Sequence, residues 1–334
     1  MVIYIKLDEP SDGDFRTRTP LYYFDCPASG RLQIHEGLVL ARLTPAESCR
    51  VHQALCREYE PKPRFRLEAA VPNNGQTAEQ AYDQGAAALY RAIALLAVSA
   101  KVLPEWPEPV VDQYDGREGH WCWQSNVGES WLDYPPPKHT GGYPPGATWK
   151  SPQQIRNLLS APQGDCYFID ESDLDRWNKM VQCFPSATSE RQLHLAAAYC
   201  YDALVQAPHD GVTAFLHASI ALEALLGDGN PELGYRLALR GSHLAGTDGN
   251  EREQLFQQLR QSYSDRSKLV HEGRVPSVDS LVHLMGFLML AVPLFAQLVT
   301  SMQGRKAALK ALDHCAIQRV NEVDALQGPG WWRA

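Results

Sequence analysis

Residues 281–302 read LVHLMGFLMLAVPLFAQLVTSM and contain no charged side chain. Because roughly 20 residues are enough for a helix to cross a bilayer, the length of this stretch allows a membrane span. Polar or helix-disturbing residues interrupt it, however, namely His283, Pro293, Gln297, Thr300 and Ser301. A helix that neighbouring helices cover on several sides has the same composition. We therefore predict a central buried helix and no membrane as a partner.

Other helical patterns surround this stretch. The apolar spacing and the breakers predict helices at residues 152–160, 172–183, 189–206, 211–226, 231–245, 251–270, 277–302 and 304–324. Connections as short as these are typical of helical bundles. We divide this part of the chain into a helical connector at 151–188, an all-α antiparallel bundle at 189–323 and a tail at 324–334.

The first part of the chain mixes strand and helix patterns. Aromatic and β-branched residues favour strands at 2–7, 21–26, 37–43 and 64–71. Thr44-Pro45-Ala46-Glu47 has the capping-box pattern and predicts the start of a helix at 45–60, and a second helix is predicted at 77–102. We predict a mixed α/β domain at residues 1–150, so the fold class of the whole chain is α+β.

The end of this first domain has an unusual composition. Residues 104–149 contain eight prolines and five of the eight tryptophans of the chain. This proline density excludes a regular helix, and the tryptophans argue against a simple flexible linker because they need packing partners. Two interpretations stay open, an irregular extension that aromatic side chains hold together and a recognition surface.

Charge and cysteine content limit the class of protein. The formal net charge of −8 argues against a protein that coats nucleic acid over a broad surface. The eight cysteines form no C-x-x-C pair, and His120 beside Cys122 is the nearest approach to a metal pair. The first residues also lack the pattern of a signal peptide. We expect a cytoplasmic protein with no metal and no other cofactor.

One short motif has the residue types of an acid–base site. Arg266-Ser267-Lys268-Leu269-Val270-His271 places an arginine five residues before a histidine. A guanidinium binds phosphate oxygens through a planar fork of donors, and an imidazole exchanges protons near neutral pH. The two side chains diverge by about 140° on a straight helix. Convergence therefore needs either a helix that ends at His271, which Gly273 and Pro276 favour, or a second subunit.

Three quoted stretches together resemble a known family. They are AFLHASIALEALLGD at 214–228, ELGYRLALRGSHLAG at 232–246 and LRQSYSDRSKLVHEG at 259–273. They are similar to the Apea-like branch of the HEPN superfamily, with its ALE-x-LL helix, its Y-R-L-A-x-R helix and its Y-x-x-R-S-K-[IL]-V-H-G signature. The chain departs from that signature by the extra residue Glu272. The resemblance covers about residues 189–323 and does not include the first half.

The resemblance implies an activity and an assembly. Proteins of this family form homodimers in which two R-x4-H motifs meet in one metal-independent endoribonuclease site. Arg266 and His271 match the catalytic pair, and Ser267 matches the polar residue that follows the arginine. Many relatives are toxin-like effectors in bacterial anti-phage defence. The analogy therefore suggests an RNA substrate and a phage-derived or nucleic-acid trigger that is sensed by the first domain.

Weaker predictions concern the surroundings of the motif. Glu223, inside an apolar helix, is expected either to be paired, with Arg266 or Arg240 as a suitable partner, or to line a cavity. Tyr263 lies one turn before Arg266 and is expected to pack in the bundle with its hydroxyl near the site. Four further residues are candidate RNA contacts, although the first three also fit an ordinary solvated basic stripe: Arg236, Arg240, His243 and Lys268.

Two classes of function are therefore compatible with the sequence. The first is a dimeric ribonuclease, and the alternative is a non-catalytic HEPN binding or regulatory module. The presence of both Arg266 and His271 favours the enzyme. Residues 232–274 contain seven Lys and Arg against six Asp and Glu, so this region escapes the acidity of the chain. The charge distribution favours contact with RNA in a small cleft.

Overall fold

The computed structural model describes residues 15–35, 37–54, 62–72, 74–75, 77–103, 110–113, 158–159, 166–184, 190–229 and 232–318. The chain divides into two compact units. The N-terminal unit contains residues 1–93, 102–148 and 161–178, and the helical unit contains 94–101, 149–160 and 179–334. A small antiparallel sheet precedes a part of the chain that is mostly helical, which confirms the predicted α+β class.

The N-terminal unit is built on a five-stranded antiparallel sheet in the order β3-β4-β5-β1-β6. Its strands are β1 (Phe15–Leu21), β3 (Arg31–His35), β4 (Leu38–Arg42), β5 (Phe65–Val71) and β6 (Val110–Gln113). A second, parallel pair joins β2 (Phe24–Asp25) to β7 (Tyr167–Phe168). The helices that start in this unit are α1 (Pro45–Ala54), α2 (Ala78–Ala100) and α3 (Glu171–Cys183).

One face of the five-stranded sheet is apolar. Leu40 and Leu67 face each other across β4 and β5, and both are fully buried. Helix α2 lies against this face, because a Cβ added at Gly85 would stand 1.9 Å from the Thr17 hydroxyl oxygen. Trp177 of α3 is buried beside α2 and donates a 2.8 Å hydrogen bond from Nε1 to the Ala92 carbonyl.

The other face of the sheet is charged and nevertheless buried. Arg16, Arg18, Arg66 and Glu68 share this face through the β1–β5 register, and all are under 9% exposed. Glu68 is the centre of the cluster, since its carboxylate accepts from Arg66 Nε and from Arg31 Nη2, the latter at 2.7 Å. Burial disfavours its charged form, but the arginine charges prevail and lower the pKa of Glu68 to about 2.

The helical unit contains six helices among the described residues. They are α4 (Arg191–Gln206), α5 (Gly211–Leu226), α6 (Leu233–Ala245), α7 (Gly249–Glu272), α8 (Val278–Ser301) and α9 (Arg305–Gln318). Polar caps set their starts: Asp210 accepts from Val212 N and Thr213 N, and Asp248 accepts from Glu251 N. Each predicted helix from 189 to 318 agrees with an observed helix within about two residues.

Helix α8 contains most of the uncharged stretch at residues 281–302. It is long and apolar enough to cross a membrane, but 72% of its most apolar window is buried inside the protein. It contacts α4, α5, α6, α7 and α9. The apolar surface of α8 is thus covered by helices of its own unit, as the prediction of a central buried helix requires.

The N-terminal strands were predicted less completely. The strands predicted at 37–43 and 64–71 correspond to β4 and β5, and the Thr44–Glu47 capping box is confirmed by a 3.2 Å hydrogen bond from Glu47 N to Thr44 Oγ1. The prediction of one strand at 21–26 was wrong, because β1 ends at Leu21 and β2 starts at Phe24. Most of β1 was missed, since arginine and threonine alternate there in place of apolar residues. All of β3 was missed as well, although Leu32 and Ile34 alternate there with polar residues.

Several predictions lie outside the described residues. These are the strand at 2–7, the end of the helix at 45–60, most of the helix at 152–160, residues 319–324 of the last helix, the tail at 324–334 and all of the tryptophan- and proline-rich segment at 104–149 except β6.

Replacing Glu68 with Gln tests the charged sheet face. Because the folded-state pKa of about 2 lies below the ordinary 4.5, ionised Glu68 stabilises the fold fully above pH 4.5 and loses this contribution as the pH falls toward 2. We expect Glu68→Gln to lower the free energy of unfolding by about 3 kcal/mol at pH 7, with the difference from wild type shrinking below pH 4.5. Urea unfolding followed by circular dichroism measures both effects. The exposed Asp83→Asn is the matched control, and a pH-independent difference for Glu68→Gln would contradict this role.

Candidate active site

The R-x4-H motif lies at the C-terminal end of α7. The helix continues to Glu272, and Gly273 ends it with a left-handed backbone (φ 68°) whose N–H is donated to the carbonyls of Leu269 and Lys268. The first of the two routes to convergence, a helix that ends at His271, is therefore not the one found, because the helix continues one residue further. Arg266 and His271 are both helical, so their side chains leave the axis about 140° apart and do not converge within one chain.

Glu223 of α5 holds Arg266. The distance from Arg266 Nη2 to Glu223 Oε1 is 3.5 Å, and the two side chains are 30% and 27% exposed. This pair confirms the prediction that Glu223 has an arginine partner, and Arg266 is the partner of the two that were considered. An ion pair that is partly exposed orients the guanidinium while leaving it accessible to an anion.

Uncovered apolar side chains surround this ion pair. Val270 lies four residues after Arg266 on α7 and is 53% exposed, and Ile220 lies three residues before Glu223 on α5 and is 37% exposed. Val275 and Val278, just beyond the end of α7, are 66% and 45% exposed. His271 itself is exposed, and Ser267 and Lys268 are half-buried. The motif thus sits on a surface of mixed charged and apolar character that the described residues leave uncovered.

The environment of Arg240 differs from that of the RNA contact that the sequence suggested. It is 1% exposed, and its guanidinium donates to Asp313 Oδ1, Asp228 Oδ2 and the Leu226 carbonyl at 2.7, 2.7 and 2.6 Å. Burial opposes the charged form, but the two aspartates prevail and raise the pKa of Arg240. An arginine with its donors engaged in the core is not available to an RNA backbone, so the structure gives Arg240 a structural role.

Arg236 and His243 share the helix face of Arg240. The Arg236 guanidinium is 2.7 Å from Asp228 and 3.1 Å from Asp313, so it belongs to the same ion-pair network. His243 is half-buried, and burial together with the charge of Arg252 lowers its pKa. This face is therefore not a solvated basic stripe, because two of its three basic side chains form ion pairs with aspartates of the same unit.

Tyr263 packs against α6. A Cβ added at Gly234 would lie 2.4 Å from Tyr263 Cδ1, so only glycine lets this ring approach the α6 backbone. This contact confirms the prediction that Tyr263 packs in the bundle. It is the aromatic ring of Tyr263 that contacts Gly234.

The structure brings together some predicted residues and separates others. Glu223 and Arg266 form a pair, while Arg236 and Arg240 belong to a different cluster. Sequence reasoning missed Asp228 and Asp313, the two carboxylates that hold that cluster. Asp313 lies 73 residues from Arg240 along the chain, so no local pattern signals their contact.

Within the described part of the chain, no group of three or more His, Cys, Asp or Glu side chains is arranged to hold a metal ion. The candidate pair His120 and Cys122 lies outside the described residues.

Comparison of the chain with protein-family models, with curated proteins and with solved structures gave no match. The resemblance to the HEPN superfamily therefore rests on the three stretches at 214–228, 232–246 and 259–273.

Truncating Arg240 tests the structural role of the ion-pair network. Arg240→Ala leaves Asp228 and Asp313 without their buried partner, so we expect a loss of about 3–5 kcal/mol in the free energy of unfolding. Arg236→Ala removes a more exposed arginine from the same aspartates and is expected to cost about 1 kcal/mol or less. Chemical unfolding monitored by circular dichroism measures the difference. Equal midpoints for Arg240→Ala and the wild type would contradict the role.

Proposed function

We propose that the chain is a metal-independent endoribonuclease of HEPN type, acting as a homodimer whose composite site contains two copies of Arg266 and His271. The observation that carries the proposal is the position of the R-x4-H motif, on an accessible helix end where Glu223 orients the arginine. The residue resemblance over 189–323 and the all-α composition of the described residues in that region support the same interpretation.

The chemistry follows from the two side chains. A neutral His271 accepts the proton of an RNA 2′-hydroxyl, and the 2′-oxygen attacks the adjacent phosphorus. The bond from phosphorus to the 5′-oxygen breaks, and a protonated His271 from the other copy donates its proton to that oxygen. Arg266 stabilises the negative charge of the phosphorane. The products are a 2′,3′-cyclic phosphate and a 5′-hydroxyl end.

A second copy supplies what one chain lacks. Arg266 and His271 diverge on one helix, so a single phosphate reaches both kinds of group most easily between two copies of α7. The exposed Val270 and Ile220 flank the Arg266–Glu223 pair and offer apolar area to the second copy. Two-fold symmetry also doubles the local basic groups, which favours RNA in a narrow cleft despite the acidic chain.

The biological setting is proposed by analogy. A toxin-like ribonuclease in bacterial anti-phage defence needs restraint until infection, and the N-terminal unit is the part of the chain suited to that sensing role. A phage-derived or nucleic-acid trigger in the cytoplasm is the partner that this setting requires.

Cleavage by point variants tests the proposed enzyme. We expect the purified protein to cut mixed RNAs in EDTA, leaving 2′,3′-cyclic phosphate ends. His271→Ala is expected to reduce the rate at least about 100-fold, because general acid–base catalysis contributes about 10²–10⁴-fold. Arg266→Ala is expected to cause a similar loss, since it removes charge stabilisation from the transition state.

Matched controls separate chemistry from folding. His283→Ala and Arg191→Ala replace an exposed histidine and an exposed arginine elsewhere in the helical unit and should retain activity. Expression of the protein in cells supplies the second readout, because an enzyme that is silent in vitro without its trigger is toxic to cells in which the trigger is present. Cleavage that persists in His271→Ala would refute the site assignment, and RNA binding without cleavage in every condition would favour the non-catalytic module.

The dimer is tested by a charge placed in the uncovered surface. Val270→Asp introduces a carboxylate that must lose water when a second copy packs on α7, so we expect it to shift the protein from dimer to monomer at micromolar concentration. Sedimentation velocity measures the change. Phe168→Asp is the control, because Phe168 is 41% exposed but lies in the N-terminal unit. A wild-type monomer at the same concentration would contradict the composite site.

A further inference from the structure

A pocket of about 440 Å³ lies between the start of α6 and the middle of α7. Its lining includes Glu232 and Tyr235 from the α6 side and Arg260, Tyr263 and Ser264 from α7. The pocket is distinct from the Arg266–Glu223 pair, and none of the roles described above uses Tyr235 or Arg260. Its size and open shape suit one planar group rather than a whole polymer.

Aromatic rings form the walls of this pocket. Gly234 lets the Tyr263 ring lie directly against α6, as the 2.4 Å approach of an added Cβ shows. Tyr235 is 49% exposed, and Phe256 meets it edge to face at 5.5 Å between ring centroids. A tyrosine ring that is half exposed and held by a neighbouring ring is a surface on which a flat base can stack.

Polar groups with complementary chemistry border the rings. Arg260 is exposed, and its guanidinium carbon lies 5.7 Å from the centroid of Phe256, so an aromatic ring supports the charge near the pocket. Glu232, exposed at the start of α6, supplies a carboxylate that accepts hydrogen bonds. Stacking rings, an arginine and hydrogen-bonding groups together are the means by which proteins bind unpaired nucleotides.

The pocket shares one face of α7 with His271, and Arg266 leaves the helix on a different side. Positions 260, 264, 267 and 271 follow the four-three-four spacing that places side chains on one helix face. Ser264 is about 10 Å and Arg260 about 16 Å from His271 along the helix axis. A single strand that follows this face therefore passes the pocket a short distance before or after the bond that is cut.

We propose that this pocket binds one unstacked guanine of a single-stranded RNA substrate and thereby sets the position of cleavage, which rests on the ribonuclease function proposed above. The base stacks on Tyr235, and Arg260 pairs with the neighbouring phosphate. Glu232 accepts from the two adjacent N–H groups of the guanine Watson–Crick edge. Uracil presents one such N–H between two carbonyl oxygens, so the carboxylate disfavours it.

Binding to cleavage-deficient protein tests the pocket apart from the enzyme. Fluorescence anisotropy with a labelled single-stranded oligouridine carrying one central guanosine is measured in the His271→Ala background. We expect Tyr235→Ala and Arg260→Ala each to weaken binding about tenfold, the size typical of losing one stacked base or one charged contact. Ser264→Trp, which fills the pocket while keeping Tyr235 and Arg260, should weaken binding similarly. Phe168→Ala and Arg191→Ala are the matched controls.

Base identity completes the test. Replacing the guanosine with inosine, which lacks the 2-amino group, or with uridine is expected to weaken binding to the parent protein. The same replacements should hardly change the affinity of the Glu232→Gln variant for the oligonucleotide. Equal affinities of parent, Tyr235→Ala and Arg260→Ala would overturn the pocket even if the wild type cleaves RNA. Conversely, a guanosine-dependent loss in these variants would support the pocket even if no cleavage is found, so the two proposals fail separately.

Discussion

The burial of helix α8 is the constraint on which the helical unit depends. A 24-residue helix with no charge beyond its first turn cannot face water, so the other helices must pack around it. It contacts α4, α5, α6, α7 and α9, and these contacts fix where each of them presents its remaining face. The accessible end of α7 is a consequence, because α7 fully buries only Leu259 and Ser262 and its last residues, including His271, are exposed.

A buried ionic network complements this apolar packing. Arg240 links α6 to α9 through Asp313 and to the end of α5 through Asp228 and the Leu226 carbonyl. Because α5 carries Glu223 and α6 carries the wall of the pocket, this network helps to fix the elements that border the motif. Such a network favours one arrangement of the helices. Removing one partner lowers the free energy of unfolding, because the remaining charge is left buried and unpaired. The residues that hold the bundle together are thus separate from the residues proposed to act on RNA.

Much of the helical unit was predictable from the sequence, and the site only in part. Helical periodicity and caps such as Asp210 and Asp248 are local, so the helices were located within about two residues. An arginine partner for Glu223, either Arg266 or Arg240, was predicted because a carboxylate in an apolar helix needs a partner, and the structure shows that it is Arg266. The Arg240–Asp313 contact spans 73 residues and has no local signature, so a basic stripe was expected where a buried ion pair is found. The buried charged face of the sheet escaped prediction for the related reason that alternating Arg and Thr normally mark an exposed strand.

The central claim is that two copies of the chain share one RNA-cleaving site. The most direct measurement adds increasing amounts of the inactive Arg266→Ala/His271→Ala double variant to a constant amount of wild type, after subunit exchange, and follows the RNA cleavage rate. If both copies contribute to the site, wild-type chains are drawn into inactive mixed dimers and the rate falls toward zero as the double variant comes into excess. A rate that stays constant under the same excess would show that each chain cleaves on its own and would contradict the composite site.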